Sequence, residues 1–212
     1  FLAIRSLSDL GGGPGENDVD VFSDLAAGNA AVVVEALLEA MAAQAPDGGE
    51  RRMSASYFSI FDEQLADLEG APWQQVDRLY IAFATLDDDG NLTNIEIDGA
   101  ADEADARIRE VVAAYREARP DGEVYISSNF GEDEMDPRYL QAAQDPGQFA
   151  DGVVDFLQEY DLDGYDMDWE THQINDYGDE LRSLLSSVSE AFQASELTPR
   201  GRHFQVTETI CP

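Results

Sequence analysis

Apolar and polar positions alternate with two different periods along the second three quarters of this chain. MSASYFSIF (53–61) and RLYIAFATL (78–86) read as strands, the second closed by the turn DDDG (87–90). A helix is predicted over 101–118, with Ile108, Val111, Val112 and Tyr115 on one face and RPDG (119–122) stopping it. EVYISSNF (123–130) reads as a third strand. DPGQFADGVVDFLQEY (145–160) opens with Pro in its first turn and aligns Phe149, Val153, Phe156, Leu157 and Tyr160 as a helix. LDGYDMDW (162–169) is a fourth strand. A helix over about 174–193 aligns Tyr177, Leu181, Leu184, Leu185, Val188 and Phe192, and HFQVTETI (203–210) is a fifth strand.

Strands separated by helices predict an α/β fold with a parallel sheet. Five strands alone fit either an open doubly wound sheet or part of a (β/α)8 barrel. The sequence holds no GxGxxG and no P-loop, which disfavours the nucleotide-binding versions. Residues 1–50 differ: GGGPGEND (11–18) has linker composition, and one helix is expected near 29–44. This part is expected to be an extension or linker, with the fold proper over 51–212.

Composition changes the picture mainly through charge. The chain carries 45 acids against 12 bases, a net charge of -33, and every base is Arg. Such a field repels nucleic acid and anionic membranes, so neither is an expected partner. The acids are dispersed, not gathered in a tail, which fits a surface built for high salt. The absence of Lys resembles proteins of salt-loving archaea; an ordinary acidic secreted protein is the alternative. No run reaches the ~20 apolar residues of a membrane span. Arg51-Arg52 precedes no apolar stretch of a signal. The lone Cys211 cannot form an internal disulfide or a zinc cluster. The chain begins at Phe1, so a processed or cut N-terminus is expected.

The fourth strand holds the candidate chemistry. In LDGYDMDWE (162–170), period-two alternation puts Asp166, Asp168 and Glu170 on one face and Tyr165, Met167 and Trp169 on the other. Acids on one face follow each other at ~6.6 Å. Neighbouring carboxylates in a shielded place cannot all ionise, so at least one is expected to hold a proton and to suit general acid work. Two other readings compete. EYDLDGYDMDWE (159–170) and TLDDDGNLTNIE (85–96) approach the calcium-loop pattern, although both lack its first Asp. A solvated acidic strand is the other; the apolar interleaving speaks against it.

DGYDMDWE (163–170) resembles the DGxDxDxE signature of family 18 glycoside hydrolases, the chitinase-like enzymes. YIAFATLDDDGNL (80–92) is similar to that family's second strand and hairpin. EVYISSNFG (123–131) sits where its third strand carries SxGG, keeping a Ser and one Gly but not the double Gly. FADGVVDFLQEYDLDGYDMDWE (149–170) and HFQVTETICP (203–212) resemble its fourth and fifth strand regions. The resemblance covers about 52–212. It implies a (β/α)8 TIM barrel, incomplete here at about its first five strands, whereas such a barrel takes ~250 residues. It further implies retaining, substrate-assisted hydrolysis of β-1,4 bonds next to N-acetylglucosamine. Glu170 would be the acid, Asp168 the partner of the substrate acetamido group, and Asp166 would share a proton with Asp168. Asp163 is carried over with the catalytic set, with fixing of the strand as its favoured role. Tyr57, Phe83 and Ser128 are carried over as substrate contacts.

Chitin or an N-acetylglucosamine oligosaccharide is the implied partner, with no cofactor and no metal. A secreted monomer is expected. An endo-β-N-acetylglucosaminidase on N-glycans and a non-catalytic glycan binder share the resemblance; the presence of Glu170 argues against the second. Trp169 is expected in packing, His172 at a helix start, and His203 carries no signal.

The charge generates a test. Thermal stability should rise between ~0.1 M and ~3 M KCl as screening relieves repulsion among the acids. A melting temperature that stays constant over that range would remove the high-salt reading.

Overall fold

Strand order in the sheet decides between the two candidate architectures. The computed structural model describes residues 53–60, 68, 70–95, 101–129, 132–169 and 177–209, all within the compact unit Met53–Pro212. The expected extension over 1–50 lies outside the described residues. Five parallel strands follow one another: β1 (Ala55–Ser59), β2 (Arg78–Leu86), β4 (Glu123–Ser128), β5 (Gly164–Met167) and β6 (Gln205–Glu208). The short β3 (Leu92–Asn94) returns antiparallel on β2 through the 87–90 turn. Each crossover steps in the same direction. Right-handed crossovers then put all helices on one side and leave the other as an interior. A doubly wound sheet would reverse direction once. The chain is therefore an α/β partial barrel, as the resemblance implies.

The helices are α1 (Ala101–Ala118), α2 (Glu132–Ala142), α3 (Pro146–Glu159) and α4 (Gly178–Ala194). Three match the sequence reading closely because their apolar faces are regular. Ile108, Val111, Val112 and Tyr115 are buried on α1, Phe149, Val153, Phe156 and Leu157 on α3, and Leu184, Val188 and Phe192 on α4. Asp145 caps α3 by accepting from the Gln148 amide at 3.0 Å, and Pro146 occupies a first-turn site that needs no donor. The sequence pattern does not predict α2. Its acidic start and the internal Pro137 obscure the period that betrays the others. Among the described residues no helix is long and apolar enough to cross a membrane.

The N-terminal end of the sheet is closed by arginines. Arg78, 7% exposed, ion-pairs with Glu123 at 2.6 Å and lies over the Tyr125 ring, 4.3 Å from its centroid. Gln205 accepts from the Tyr125 hydroxyl at 3.0 Å. Gly164 passes so close to Tyr125 and the Gln205 carbonyl that a Cβ would overlap both. That close approach is the reason for glycine at the start of β5.

Asp163, 4% exposed, sits at this same end. It receives Arg116 at 2.6 Å, Arg200 at 2.7 Å and the Val124 amide at 2.9 Å. Its place in the catalytic set is thereby corrected. It lies roughly 16 Å along the strand from Asp168, and its oxygens are taken by arginines. The alternative calcium loop over 159–170 is corrected by the same contacts. Asp161 also binds Arg200, at 2.9 Å, and Glu159 binds Arg109, at 2.8 Å. Gly164 is strand, not loop. In the 85–96 segment, Asp87 accepts from the Asn91 and Asp89 amides, which makes it the anchor of a hairpin turn. Every described arginine pairs with an acid, so the surplus of acids stands without counterpart.

Asp163→Ala should cost about 3 kcal/mol, because two largely buried guanidinium groups lose their carboxylate. Urea unfolding checks this. A loss below about 1 kcal/mol would mean that solvent replaces the clamp without penalty.

Candidate active site

Parallel strands in register bring residues of equal height together at the C-terminal end of the sheet. Asp166 pairs with Ser127 of β4 and with Thr207 of β6. Its Oδ2 accepts from the Ser127 hydroxyl at 2.8 Å, from the Tyr57 phenol at 2.9 Å and from the Thr209 hydroxyl at 3.3 Å. Its Oδ1 accepts from the Thr207 hydroxyl at 2.5 Å. Donors from β1, β4 and β6, with Thr209 just beyond, thus converge on one carboxylate that is 2% exposed. Burial and the Asp166 carboxylate hold the Tyr57 phenol well above its usual ionisation range, so it remains a donor. Tyr57 stacks on Tyr80 with centroids 4.8 Å apart, yet keeps 47% exposure, so its ring also meets solvent.

Asp168 lies one inward-facing position further toward the mouth and is 4% exposed. Its amide donates to the Ser128 carbonyl at 3.3 Å, and its Oδ2 accepts from Asn129 Nδ2 at 3.2 Å. Asp166 and Asp168 share a face, as the alternation predicts. On the opposite face Tyr165 and Met167 are fully buried, and Trp169 is sandwiched between Tyr139 at 4.8 Å and Tyr177 at 5.6 Å. The expected packing role of Trp169 agrees with this stack. Glu170 and His172 lie outside the described residues.

Two other expected contacts sit differently. Ser128 is a correction. Its side chain is fully buried on the helix side, 2.6 Å from both the Tyr139 and Tyr165 hydroxyls, so it cannot meet substrate. The inward serine is its neighbour Ser127. The alternation of a strand separates the two, and their identical side chains hide which of them faces in. Phe83 is half-buried on β2, at the point where the register with β4 shifts and the Ala82–Phe83 peptide is cis.

Sequence reasoning missed the hydroxyl partners Ser127, Thr207 and Thr209, together with Asn129. Period two would have found Ser127 and Asn129 on one face once the register was known. It also missed Glu208. This residue pairs in register with Met167, and its Oε2 is buried with no hydrogen-bond partner among the described residues. Burial, reinforced by the charges of Asp166 and Asp168, pushes its carboxyl up to about 8. Its register with Met167 puts Glu208 on the face opposite Asp166 and Asp168, so it is not the proton-holding acid expected among Asp166, Asp168 and Glu170. Among the described residues no three His, Cys, Asp or Glu side chains are grouped to hold a metal ion.

Glu208 has a consequence for stability. The protonated carboxyl suits the fold, so its contribution is fully present below about 4.5, the unfolded value, and is lost as pH rises toward about 8. Glu208→Gln never ionises. Its melting temperature relative to the parent should climb between those two pH values and level off above them. A pH-independent difference would place the Glu208 carboxyl in the ordinary range.

Comparisons with known proteins agree with this geometry. The family model for glycosyl hydrolases family 18 matches residues 53–211. No curated protein matches the chain. Among solved structures, a family 18 chitinase from Cycas revoluta in complex with (GlcNAc)3 superposes with a TM-score of 0.65 at 15% identity, over 75% of this chain and 46% of that one. Human YKL-39, a pseudo-chitinase with retained chitooligosaccharide binding properties, gives 0.61 at 13% identity, over 76% and 44%. The chitinase ChiB from the chitin utilization locus of Flavobacterium johnsoniae gives 0.55 at 21% identity, over 76% and 46%. At these identities the structures speak for the fold alone. The chain spans less than half the length of each. With the family model covering all five parallel strands and the inward acid pair, the chain belongs to glycosyl hydrolases family 18.

Proposed function

We propose that the whole protein hydrolyses β-1,4 bonds next to N-acetylglucosamine with retention, using the substrate's own acetamido group as nucleophile. The observation that supports this most is the inward pair Asp166 and Asp168 at the mouth of the sheet, four and two residues before Glu170. Glu170 protonates the leaving glycosidic oxygen. The acetamido oxygen then attacks its own anomeric carbon and forms an oxazolinium ion. Asp168 accepts the acetamido N–H and places a negative charge beside the developing cation. Asp166, tied to four hydroxyls, holds its neighbour's surroundings fixed and shares a proton with it. Water opens the ring on the same face, with Glu170 now acting as base.

Tyr57 is an exposed aromatic residue beside Asp166, which suits contact with a sugar. The substrate implied is chitin or a soluble chitooligosaccharide. A polymer of that kind is met outside the cell, and the acid surplus suits a saline medium.

Glu170→Gln in the whole protein should lower kcat on chitotetraose by at least ~10²-fold, since general acid help is worth that much, while binding survives. Asp168→Asn should also lower kcat with little change in KM. NMR of the first product should show the β-anomer. Full activity in Glu170→Gln, or an α-anomer as first product, would remove this mechanism.

A further inference from the structure

The turn that joins β2 to β3 carries a motif with its own chemistry. Asn91-Leu92-Thr93 is an Asn-x-Thr triplet, the acceptor pattern for an N-linked oligosaccharide. The chain has six Asn, and only Asn91 is followed two positions on by Ser or Thr. Such a triplet works where both polar side chains reach a transferase, and the fold meets that demand. β3 starts at Leu92, so Asn91 and Thr93 flank it on one side of the chain while Leu92 points to the other. Leu92 is buried, whereas Asn91 and Thr93 are partly exposed. Asp88 and Asp89 before them are exposed, and Gly90 makes the turn with a φ of 82°. Asn91 also lines a surface cavity of about 80 Å³, whose polar walls include Asp89, Gln144, Asp145 and Gln148. Acids and amides of this kind supply the acceptors and donors that sugar hydroxyls need.

We propose that Asn91 is the acceptor of an N-linked oligosaccharide, delivered by a polyprenyl phosphate or diphosphate carrier. The bond between Asn91 Nδ2 and the anomeric carbon of the first sugar forms. The bond from that carbon to the carrier's phosphate oxygen breaks. One Nδ2 proton passes to a base of the transferase, and the lipid phosphate leaves. The proposal rests on the function above in one respect: an enzyme for chitin is exported, and transfer of this kind accompanies export. The folded hairpin suits the product of the transfer better than its substrate. Asn91 Nδ2 donates to both oxygens of Asp87, at 3.2 and 3.1 Å, and its Oδ1 accepts from Gln148 Nε2 at 3.1 Å. An amide engaged in this way is withheld from a transferase, so the transfer precedes closure of the hairpin. The product keeps one Nδ2 hydrogen, enough for one of the two bonds. Asp87 still accepts from the Asn91 amide at 2.8 Å and the Asp89 amide at 3.0 Å, and its carbonyl from the Gly90 amide at 3.0 Å. The turn therefore closes with the sugar attached. The first sugar leaves Asn91 over the N-terminal turn of α3, where the exposed Gln144 and Gln148 offer amides to its hydroxyls.

Mass spectrometry of the whole protein, purified from the cells that naturally make it, tests this. Trypsin cuts after Arg78 and Arg107, so a single peptide, 79–107, holds the motif. That peptide should carry an added mass made of whole sugar residues, and fragmentation should place it on Asn91. Asn91→Gln and Thr93→Ala, each expressed in the same cells, should remove the addition, and Thr93→Ser should keep it. Thr93→Ala is the sharper variant, because it leaves Asn91 and its bonds to Asp87 in place. An unmodified 79–107 peptide in the parent overturns the proposal, and so does an addition that survives Thr93→Ala. Hydrolysis of chitotetraose, measured on the same preparation, separates the two failures. A modified peptide in a protein that hydrolyses no chitotetraose keeps the acceptor site and removes the proposed function. Hydrolysis by a protein whose peptide is unmodified does the reverse.

Discussion

One buried carboxylate organises the interior of this protein. Asp166 accepts hydroxyl hydrogens from residues of β1, β4 and β6 and from Thr209 just past β6. A carboxyl group with 2% exposure is costly to bury unless its oxygens find partners, and here both accept hydrogen bonds. The same bonds fix how far the sheet curls, because Tyr57 reaches from the first parallel strand to the fourth and touches Thr209 after the fifth. Asp168 and the segment leading to Glu170 inherit their position from that anchor.

The two ends of the sheet divide the work. At the N-terminal end, carboxylates are matched to arginines: Asp163 to Arg116 and Arg200, Glu123 to Arg78 and Arg202. There each of these acids is held by two arginines, and the contacts serve stability. At the C-terminal end, Asp166 and Asp168 are brought together with hydroxyls and an amide, and no described arginine pairs with them. Burial raises the proton affinity of Glu208 on the neighbouring strand, and the charges of Asp166 and Asp168 add to it. Parallel α/β barrels generally keep stability at one end and chemistry at the other. In this chain an arginine-clamped acid and an acid pair bound by hydroxyls and an amide lie within six residues, from Asp163 to Asp168.

The architecture was legible wherever apolar positions repeat regularly. β2 and α1 match their expected bounds, and α3 and α4 differ by a few residues at their ends. The period-two pattern correctly separated Asp166 and Asp168 from Tyr165, Met167 and Trp169. What sequence could not supply was register. Ser127 and Ser128 are chemically identical neighbours, and only strand pairing tells the one on Asp166 from the one on Tyr165. Thr207, Thr209 and Asn129 become partners of the acids only across strands far apart in sequence. Asp163 belongs to the same motif as Asp168, but it faces arginines from α1 and from the 199–202 turn, which no local pattern predicts. The helix around Pro137 was hidden because its local signals oppose its final state.

The central claim is that the Asp166–Asp168 pair forms the floor on which an N-acetylglucosamine unit is held for attack by its own acetamido group. A crystal structure of the whole protein in its Glu170→Gln form, soaked with chitotetraose, tests it most directly. The account requires an acetamido nitrogen within hydrogen-bond distance of the Asp168 carboxylate, about 2.9 Å, with the acetamido oxygen beneath the anomeric carbon. An oligosaccharide bound with its acetamido groups turned away from Asp168, or seated elsewhere on the molecule, would contradict it.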